Sequence, residues 1–139
     1  MIRINKKIVM FLGTCILLST PVATYARDIK TLTNFKLPAY KGINYMPSAL
    51  KSATGGATII NLGTIDGQGT GSYAIDGMLQ NSDGVQRGDY TTGIMENKRT
   101  AIINWQSAKR GYYYKFKCMN HNSVGLNAYV SGSWSPDAN

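Results

Sequence analysis

Apolar and polar residues alternate with a period of two along much of this chain, and that spacing predicts β-strands. The clearest case is "YYYKFKCM" (112–119). Its apolar positions are Tyr112, Tyr114, Phe116 and Cys118, and its other positions are Tyr113, Lys115, Lys117 and Met119. Because successive side chains of a strand point to opposite faces, we expect the first set to face a core and the second to face solvent.

The next segment, "VGLNAYVSGSW" (124–134), has the same alternation. Its apolar face would carry Val124, Leu126, Ala128, Val130, Gly132 and Trp134. The Asn-rich residues 120–123 lie between the two segments, and asparagine tolerates the positive φ that hairpin turns require. We therefore expect the two strands to form a hairpin, with Tyr129 and Asn127 beside the outward residues of the first strand.

Five further segments have strand-like patterns: 30–37, 57–65, 72–81, 90–95 and 99–106. Thr33, Phe35 and Leu37 share a face in the first, with Leu32 out of phase, and Ala101, Ile103 and Trp105 share a face in the last. Gly77 predicts a bulge within its strand. Residues 38–56 are rich in proline and glycine and are interpreted as irregular, with a short helical turn at 48–52. About seven short strands indicate an all-β fold, a single antiparallel β-sandwich.

The N-terminal residues have the layout of a secretory signal peptide. Arg3, Lys6 and Lys7 precede an apolar run at 8–18, and Ala26 ends a segment suited to cleavage. Cys15 within the run suggests a lipoprotein, but the apolar residues continue past it, which favours ordinary cleavage. We expect residues 1–26 to be a signal peptide, residues 27–139 to form one β-sandwich domain, and the protein to be secreted.

The net charge of the chain indicates which partners it attracts, but it says little about catalytic activity. The full sequence carries a net charge of +8, and removing the three basic residues of the predicted signal peptide leaves +5. A basic exported protein is attracted to anionic cell-wall polymers or membrane surfaces, and we expect no nucleic-acid partner. Cys118 would be the one cysteine and His121 the one histidine of the mature chain, so we expect neither an internal disulfide nor a cofactor or metal site.

The possible reactive residues are few, and we expect no catalytic site. Cys118 falls on the core-facing side of its strand, where a thiol behaves as a small apolar group. His121 falls in the following turn and points away from Cys118, with no third residue to orient it. Asp76 lies within a strand; a hydrolase would need a second carboxylate opposite it. Residues 87–89 spell the adhesion tripeptide Arg-Gly-Asp, in a predicted exposed loop.

The candidate binding residues are Tyr113, Lys115, Lys117 and Tyr129, on the outer face of the predicted hairpin. Aromatic rings beside ammonium groups could bind a sugar or a phosphate-rich polymer. The alternative is that tyrosine and lysine pairs only cover the sheet and keep it soluble.

The C-terminal third carries a resemblance to known proteins. "GYYYKFKCMNHNSVGLNAYVSGSWSPD" (111–137) resembles an uncharacterised family of small secreted proteins of Gram-positive bacteria, which are similar in a Tyr-rich strand, an Asn-containing turn and a closing "VSGSWSPD" (130–137). This resemblance implies export and a β fold, and it supplies no catalytic residue. The chain is also similar, by analogy, to β-sandwich bacteriocins of the lactococcin type: small, basic and glycine-rich.

These observations predict a secreted, non-enzymatic protein that interacts with the cell envelope through a basic, tyrosine-containing surface. The alternatives are a bacteriocin-like antagonist of related bacteria and a small cell-wall polysaccharide hydrolase.

Overall fold

The protein is a sandwich of two antiparallel β-sheets, seen in a computed structural model that describes residues 26–69 and 73–138. Its strands are β1 (Lys30–Leu37), β2 (Ile43–Tyr45), β3 (Ala49–Leu50), β4 (Ala57–Asp66), β5 (Ala74–Asn81), β6 (Thr91–Met95), β7 (Lys98–Ile103), β8 (Tyr113–Asn120) and β9 (Ala128–Ser135). The four-stranded sheet has the order β1-β9-β4-β7, and the five-stranded sheet has the order β2-β8-β5-β6, with β3 also paired to β8. This confirms the predicted all-β sandwich, with nine strands in place of about seven.

The predicted signal peptide falls almost entirely on residues 1–25, which lie outside the described residues, so it stays a prediction together with secretion. Within the two described ranges, no helix has the length and hydropathy needed to cross a bilayer.

The predicted hairpin of the last two strands is wrong. β8 belongs to the five-stranded sheet and β9 to the four-stranded sheet, where β9 pairs with β1 and β4. Residues 121–127 therefore cross from one sheet to the other. Local alternation identified β8 and the buried residues Ala128, Val130 and Trp134 correctly, but it holds no information about which strands pair. The predicted inward position of Leu126 is wrong, because β9 begins only at Ala128 and Leu126 is exposed in the crossing connection.

Two buried amide side chains hold this crossing connection in place. The Nε2 atom of Gln68 donates to the backbone oxygen of Ala74 at 2.7 Å and to Oδ1 of Asn120 at 2.9 Å. Asn120 in turn donates from Nδ2 to the backbone oxygen of Leu126 at 3.2 Å. Both amides are fully buried, so these hydrogen bonds satisfy groups whose burial would otherwise be costly.

The phase of β1 differs from the prediction because the strand contains a bulge. Leu32 is buried and Thr33 is exposed, the reverse of the expected pattern. Between them and Phe35 lies Asn34, with φ of 48°, where the register with β9 shifts. One extra residue in a strand reverses the alternation beyond it, so both Leu32 and Leu37 reach the core.

The phase of β7 also differs. Ala101, Ile103 and Trp105 do share a face, but all three are exposed, and Ile102 is the core residue. Asn104 takes the next buried position, where its Oδ1 accepts a hydrogen bond from the Thr58 hydroxyl at 2.7 Å. A buried asparagine has no apolar signature, so the pattern alone favoured the wrong face.

Segment 38–56 contains two short strands and no helical turn. Ala49 and Leu50 form β3, which pairs with Tyr114 and Tyr113 of β8. The predicted helix at 48–52 is therefore wrong; pairing with β8 overrides the weak local preference.

The core lies between the two sheets, and β8 contributes its centre. The buried apolar residues are Leu37, Ile60, Ile65, Ile75, Leu79, Ile94, Ile102, Phe116, Val130 and Trp134, among others. Gly77 of β5 lies directly beneath the ring of Phe116, and the predicted bulge is present there in the β5–β6 pairing. A β-carbon at Gly77 would lie 2.5 Å from the carbonyl oxygen of Lys117. Glycine is needed at this position for close packing.

Candidate binding surface

The outer side of the five-stranded sheet carries a row of cationic and aromatic residues, here named the basic face. It consists of Ile43, Tyr45, Tyr113, Lys115, Lys117 and Met119. β8 alternates strictly in burial, with Tyr114, Phe116, Cys118 and Asn120 buried and the intervening residues partly or fully exposed. The predicted outward orientation of Tyr113, Lys115 and Lys117 is confirmed.

The geometry of the basic face places cations against aromatic rings. The Lys115 Nζ atom lies 4.5 Å from the centre of the Tyr45 ring, within the range of a cation–π interaction. Tyr45 pairs with Lys117 across the β2–β8 ladder, so its exposed side chain and both lysines lie on the same outer face. Among the described residues, neither lysine forms a salt bridge. Lys115 Nζ donates to the backbone oxygen of Ser82 at 3.4 Å, but this acceptor is neutral, so the charge of Lys115 has no counter-ion there and can still attract an anion.

Tyr129 does not belong to this surface. It lies on β9 of the other sheet, paired with Lys36 on one side and Asp66 on the other. Its side chain faces away from the basic face, across the thickness of the sandwich. Tyr112 also departs from expectation: it precedes β8, follows Gly111 with φ of 84°, and is 65% exposed.

One end of the basic face opens into a pocket of about 250 Å³, here named the tyrosine pocket. It is lined by Asn81, Ser82, Asp83, Arg87, Ser107, Lys109, Tyr112, Tyr113 and Tyr114. Tyr113 belongs to both the pocket and the basic face. Tyr114 forms part of the inner wall, where its hydroxyl donates to the backbone oxygen of Lys109 at 3.1 Å. Burial raises the pKa of Tyr114, with the nearby charge of Arg87 acting in the opposite direction.

At the other end of β8, the buried carboxylate of Asp76 on β5 pairs with the imidazole of His121. Asp76 is 2% exposed, and its Oδ1 lies 2.7 Å from Nδ1 of His121 and accepts a hydrogen bond from the Gly93 backbone at 2.8 Å. The expectation that no residue orients His121 is wrong. The pair attaches the crossing connection to β5 and β6.

Asp76 and His121 could act as a general base only if a substrate reached them. The hydrolase alternative requires a second carboxylate across a cleft from Asp76. The hydrogen-bond partners that the structure gives Asp76 are instead an imidazole and a backbone amide, and Asp76 does not line the tyrosine pocket.

Cys118 is enclosed in the core. Its side chain is fully buried, and its sulfur donates to the backbone oxygen of Asn44 at 3.4 Å. Burial raises the pKa of the thiol well above its ordinary value of 9.0. The residue lies on the inner face of β8, opposite in direction to the outward Asp76–His121 pair. As expected, the thiol and the imidazole point apart.

This burial predicts an alkaline loss of stability that depends on Cys118. A raised pKa in the folded state means that stability is complete below the unfolded value of 9.0 and decreases as pH rises above it. Between pH 8 and 10, wild type should lose about 1.4 kcal/mol more than Cys118→Ala, because pH 10 lies one unit above the unfolded pKa of 9.0 and each pH unit above that pKa costs about this amount. Urea titrations of both proteins measure this difference, and titrating tyrosines cancel in the comparison. Equal pH slopes, or rapid thiol labelling of the folded wild type, would contradict the assignment.

The Arg-Gly-Asp tripeptide is part of the packed structure. Gly88 is buried and forms an isolated bridge with Asn104, and Oδ1 of Asp89 accepts a hydrogen bond from Trp105 Nε1 at 2.9 Å. The predicted exposed loop is therefore wrong for its central residue.

Several residues of this surface could not be found from the sequence pattern. Tyr45 lies in a three-residue strand, too short to show alternation. Arg87, Lys109 and Tyr112 are distant along the chain or lie in connections, and only the fold brings them to one pocket. The tyrosine run at 112–114 was the available sequence signal for this pocket. It indicated the pocket by the clustering of tyrosines and not by the alternation of apolar and polar residues.

Comparison of this chain with protein-family models, with curated proteins and with solved structures finds no match. The resemblances noted from residues 111–137 stay predictions. The structure itself explains the closing "SPD": Asp137 is buried and paired with Lys51.

Proposed function

We propose that this protein is a secreted, non-enzymatic binding protein whose basic face holds an anionic polymer of the cell envelope. The observation that carries the proposal is the placement of Lys115 and Lys117 on the outer face of β8, where neither has a salt-bridge partner among the described residues. The exposed side chains of Tyr45 and Tyr113 lie on the same face. Same-face residues on a strand are about 7 Å apart. A polymer with repeated anionic groups lying along β8 would meet both cations in succession.

The surrounding chemistry supports an extended anionic ligand. The net charge of +5 on residues 27–139 brings such a polymer toward the protein. Asp76, the acid on this side of β5, is buried and already accepts two hydrogen bonds. The basic face therefore presents cations and aromatic rings to solvent, while the carboxylate of Asp76 is buried.

Charge reversal at Lys115 and Lys117 tests the proposal. Each lysine near an anionic surface contributes about 1 kcal/mol, so Lys115→Glu/Lys117→Glu should weaken binding to wall fragments by about 30-fold or more at low salt. The variant should fold normally, since exposed substitutions change stability by about 0.5 kcal/mol or less. Sedimentation with purified wall fragments across a salt series measures the loss, which should diminish as salt screens the charges.

A matched control separates this face from general charge attraction. Lys36→Glu/Lys98→Glu makes the same change in net charge on exposed positions of the four-stranded sheet. It should lose clearly less affinity than the basic-face variant. Equal losses in the two variants would mean that net charge alone drives binding, and no loss in either would remove the proposal. Tighter binding to anionic lipid vesicles than to wall fragments would identify a membrane as the partner instead.

A further inference from the structure

We propose that the tyrosine pocket is a binding site for a single sugar ring that carries one anionic group, a carboxylate or a phosphate. This inference deepens the proposed function, on which it rests, by assigning a separate recognition site at the end of the basic face. Three properties of the pocket carry it: size, charge and the kind of surface at its rim.

The size of the pocket suits one small ring. Its volume of about 250 Å³ lies just below the range of about 300–1,000 Å³ typical of pockets for drug-sized ligands. The pocket is formed by the end of β5 with the loop that follows it, by the connection before β8, and by the first residues of β8. A long chain could enter it only with a terminal or protruding unit.

The charge of the pocket favours an anion. Arg87 and Lys109 face one acid, Asp83, and across the described residues neither cation takes part in a salt bridge. Arg87 is also held firmly at its backbone: its N–H donates to the carbonyl of Leu79, and its carbonyl accepts from the N–H of Trp105, both at 2.8 Å. A guanidinium on an anchored backbone suits two-point binding of a carboxylate or a phosphate.

The rim of the pocket is aromatic. Tyr112 and Tyr113 are 65% and 60% exposed, which leaves two large rings in solvent beside a polar cavity. The C–H face of a sugar ring is apolar and packs on such a ring. The hydroxyls of Ser82 and Ser107, which both donate and accept hydrogen bonds, match the hydroxyls of a sugar. A bare inorganic anion would leave the aromatic rim unused.

The direct test is titration of the mature protein with four soluble probes, monitored by NMR chemical shifts. The probes are glucuronic acid, glucose 6-phosphate, glucose and inorganic phosphate. We expect at least one anionic sugar to bind with a Kd of about 1 mM and to shift the amides of Arg87, Tyr112 and Tyr113. Glucose and phosphate should bind at least about tenfold more weakly, because each offers half of the required contacts. Binding of one anionic sugar but not the other supports the inference and identifies the anion.

Variants connect the shifts to the pocket. Arg87→Gln and Tyr112→Ala should each weaken binding of the anionic sugar by about tenfold or more. The first removes the guanidinium that would bind the anion at two points, and the second removes the aromatic ring that would pack on the sugar. Arg99→Gln, at an exposed position on the four-stranded sheet, should have no effect. Unchanged affinity in Arg87→Gln, with its fold verified by its spectrum, would overturn the inference.

The remaining outcomes separate this inference from the proposed function. Equal binding of phosphate and glucose 6-phosphate would overturn it by showing a simple anion site. Equal binding of glucose and glucuronic acid would overturn it by showing that the anionic group adds nothing to affinity. If none of the probes binds while wall fragments still do, the pocket inference fails and the proposed function stands. Lys117→Glu alone, which lies farther along β8 from the pocket than Lys115, should keep its sugar affinity while it binds wall fragments more weakly.

Discussion

The Phe116→Lys variant is expected to be unfolded in native buffer. Phe116 is fully buried in the middle of β8, and its ring centre lies 6.3 Å from that of Trp134 on the opposing sheet. Lysine would remove this contact between the sheets, a loss of about 3–5 kcal/mol for a large aromatic side chain. It would also bury an unpaired ammonium group, which costs several kcal/mol more. The total is comparable to the whole stability of a domain, about 5–15 kcal/mol.

Circular dichroism and NMR dispersion measure this outcome, and the adjacent residue supplies the control. Lys117→Ala changes the next position on the same strand, where the side chain faces solvent. Its stability should stay within about 0.5 kcal/mol of wild type. A soluble, cooperatively folding Phe116→Lys protein would mean that the inner and outer faces of β8 have been exchanged.

The second large effect is expected at the C-terminal end of the chain, where Asp137→Ala should cost about 3–5 kcal/mol. Lys51 is fully buried, and its Nζ donates to Oδ1 of Asp137 at 2.8 Å and to the carbonyl of Pro136 at 2.6 Å. The other carboxylate oxygen accepts from the backbone N–H of Ser52 at 2.5 Å and from its hydroxyl at 2.8 Å. Alanine would leave the Lys51 charge buried without its counter-ion.

The size of this loss should depend on pH. Burial lowers the pKa of Lys51 from its ordinary value of 10.5, with Asp137 acting in the opposite direction. Without Asp137 the folded-state pKa should fall further, so the unfolded chain binds the proton more tightly. Stability of Asp137→Ala should therefore recover as pH rises toward 10.5, where Lys51 can fold uncharged.

Urea denaturation of three variants tests the pairing itself. Lys51→Met/Asp137→Asn removes both charges and keeps the shapes, so it should be less destabilised than Asp137→Ala, because replacing a buried pair is milder than breaking one. Asp83→Ala removes an exposed carboxylate and should change stability by about 0.5 kcal/mol or less. A loss below about 1 kcal/mol in Asp137→Ala, the level of an exposed ion pair, would show that this pair does not hold the C-terminal end in place.

The same buried pair shows that a motif can be found in the sequence without revealing what its residues do in the fold. "SWSPD" stands out in the sequence as a closing motif, yet in the structure its tryptophan lies in the core and its aspartate pairs with Lys51. Lysine and aspartate 86 positions apart give no local signal of pairing. The partnership exists only once the residue after β3, which pairs with the five-stranded sheet, meets the residues after β9 of the four-stranded sheet.

The candidate site divides in the same way. Tyr113, Lys115 and Lys117 were predictable because they belong to one strand and alternate with core residues. Tyr129 was placed wrongly beside them, since adjacent segments were taken to pair. Arg87 and Lys109 were not predicted, because they lie in connections without periodicity and approach each other only through the pairing of β5 with β8.

By itself, then, the sequence determined the all-β fold class, the bounds of β1, the bulge at Gly77 and the inward and outward faces of β8, because side-chain direction in a strand follows from its period of two. Only the tertiary structure decided that β8 and β9 lie in different sheets, that Ile102 is the core residue of β7, and that the tyrosines open onto a pocket. Strand pairing depends on contacts between residues far apart in the chain, and local alternation is the same whichever partner a strand finds.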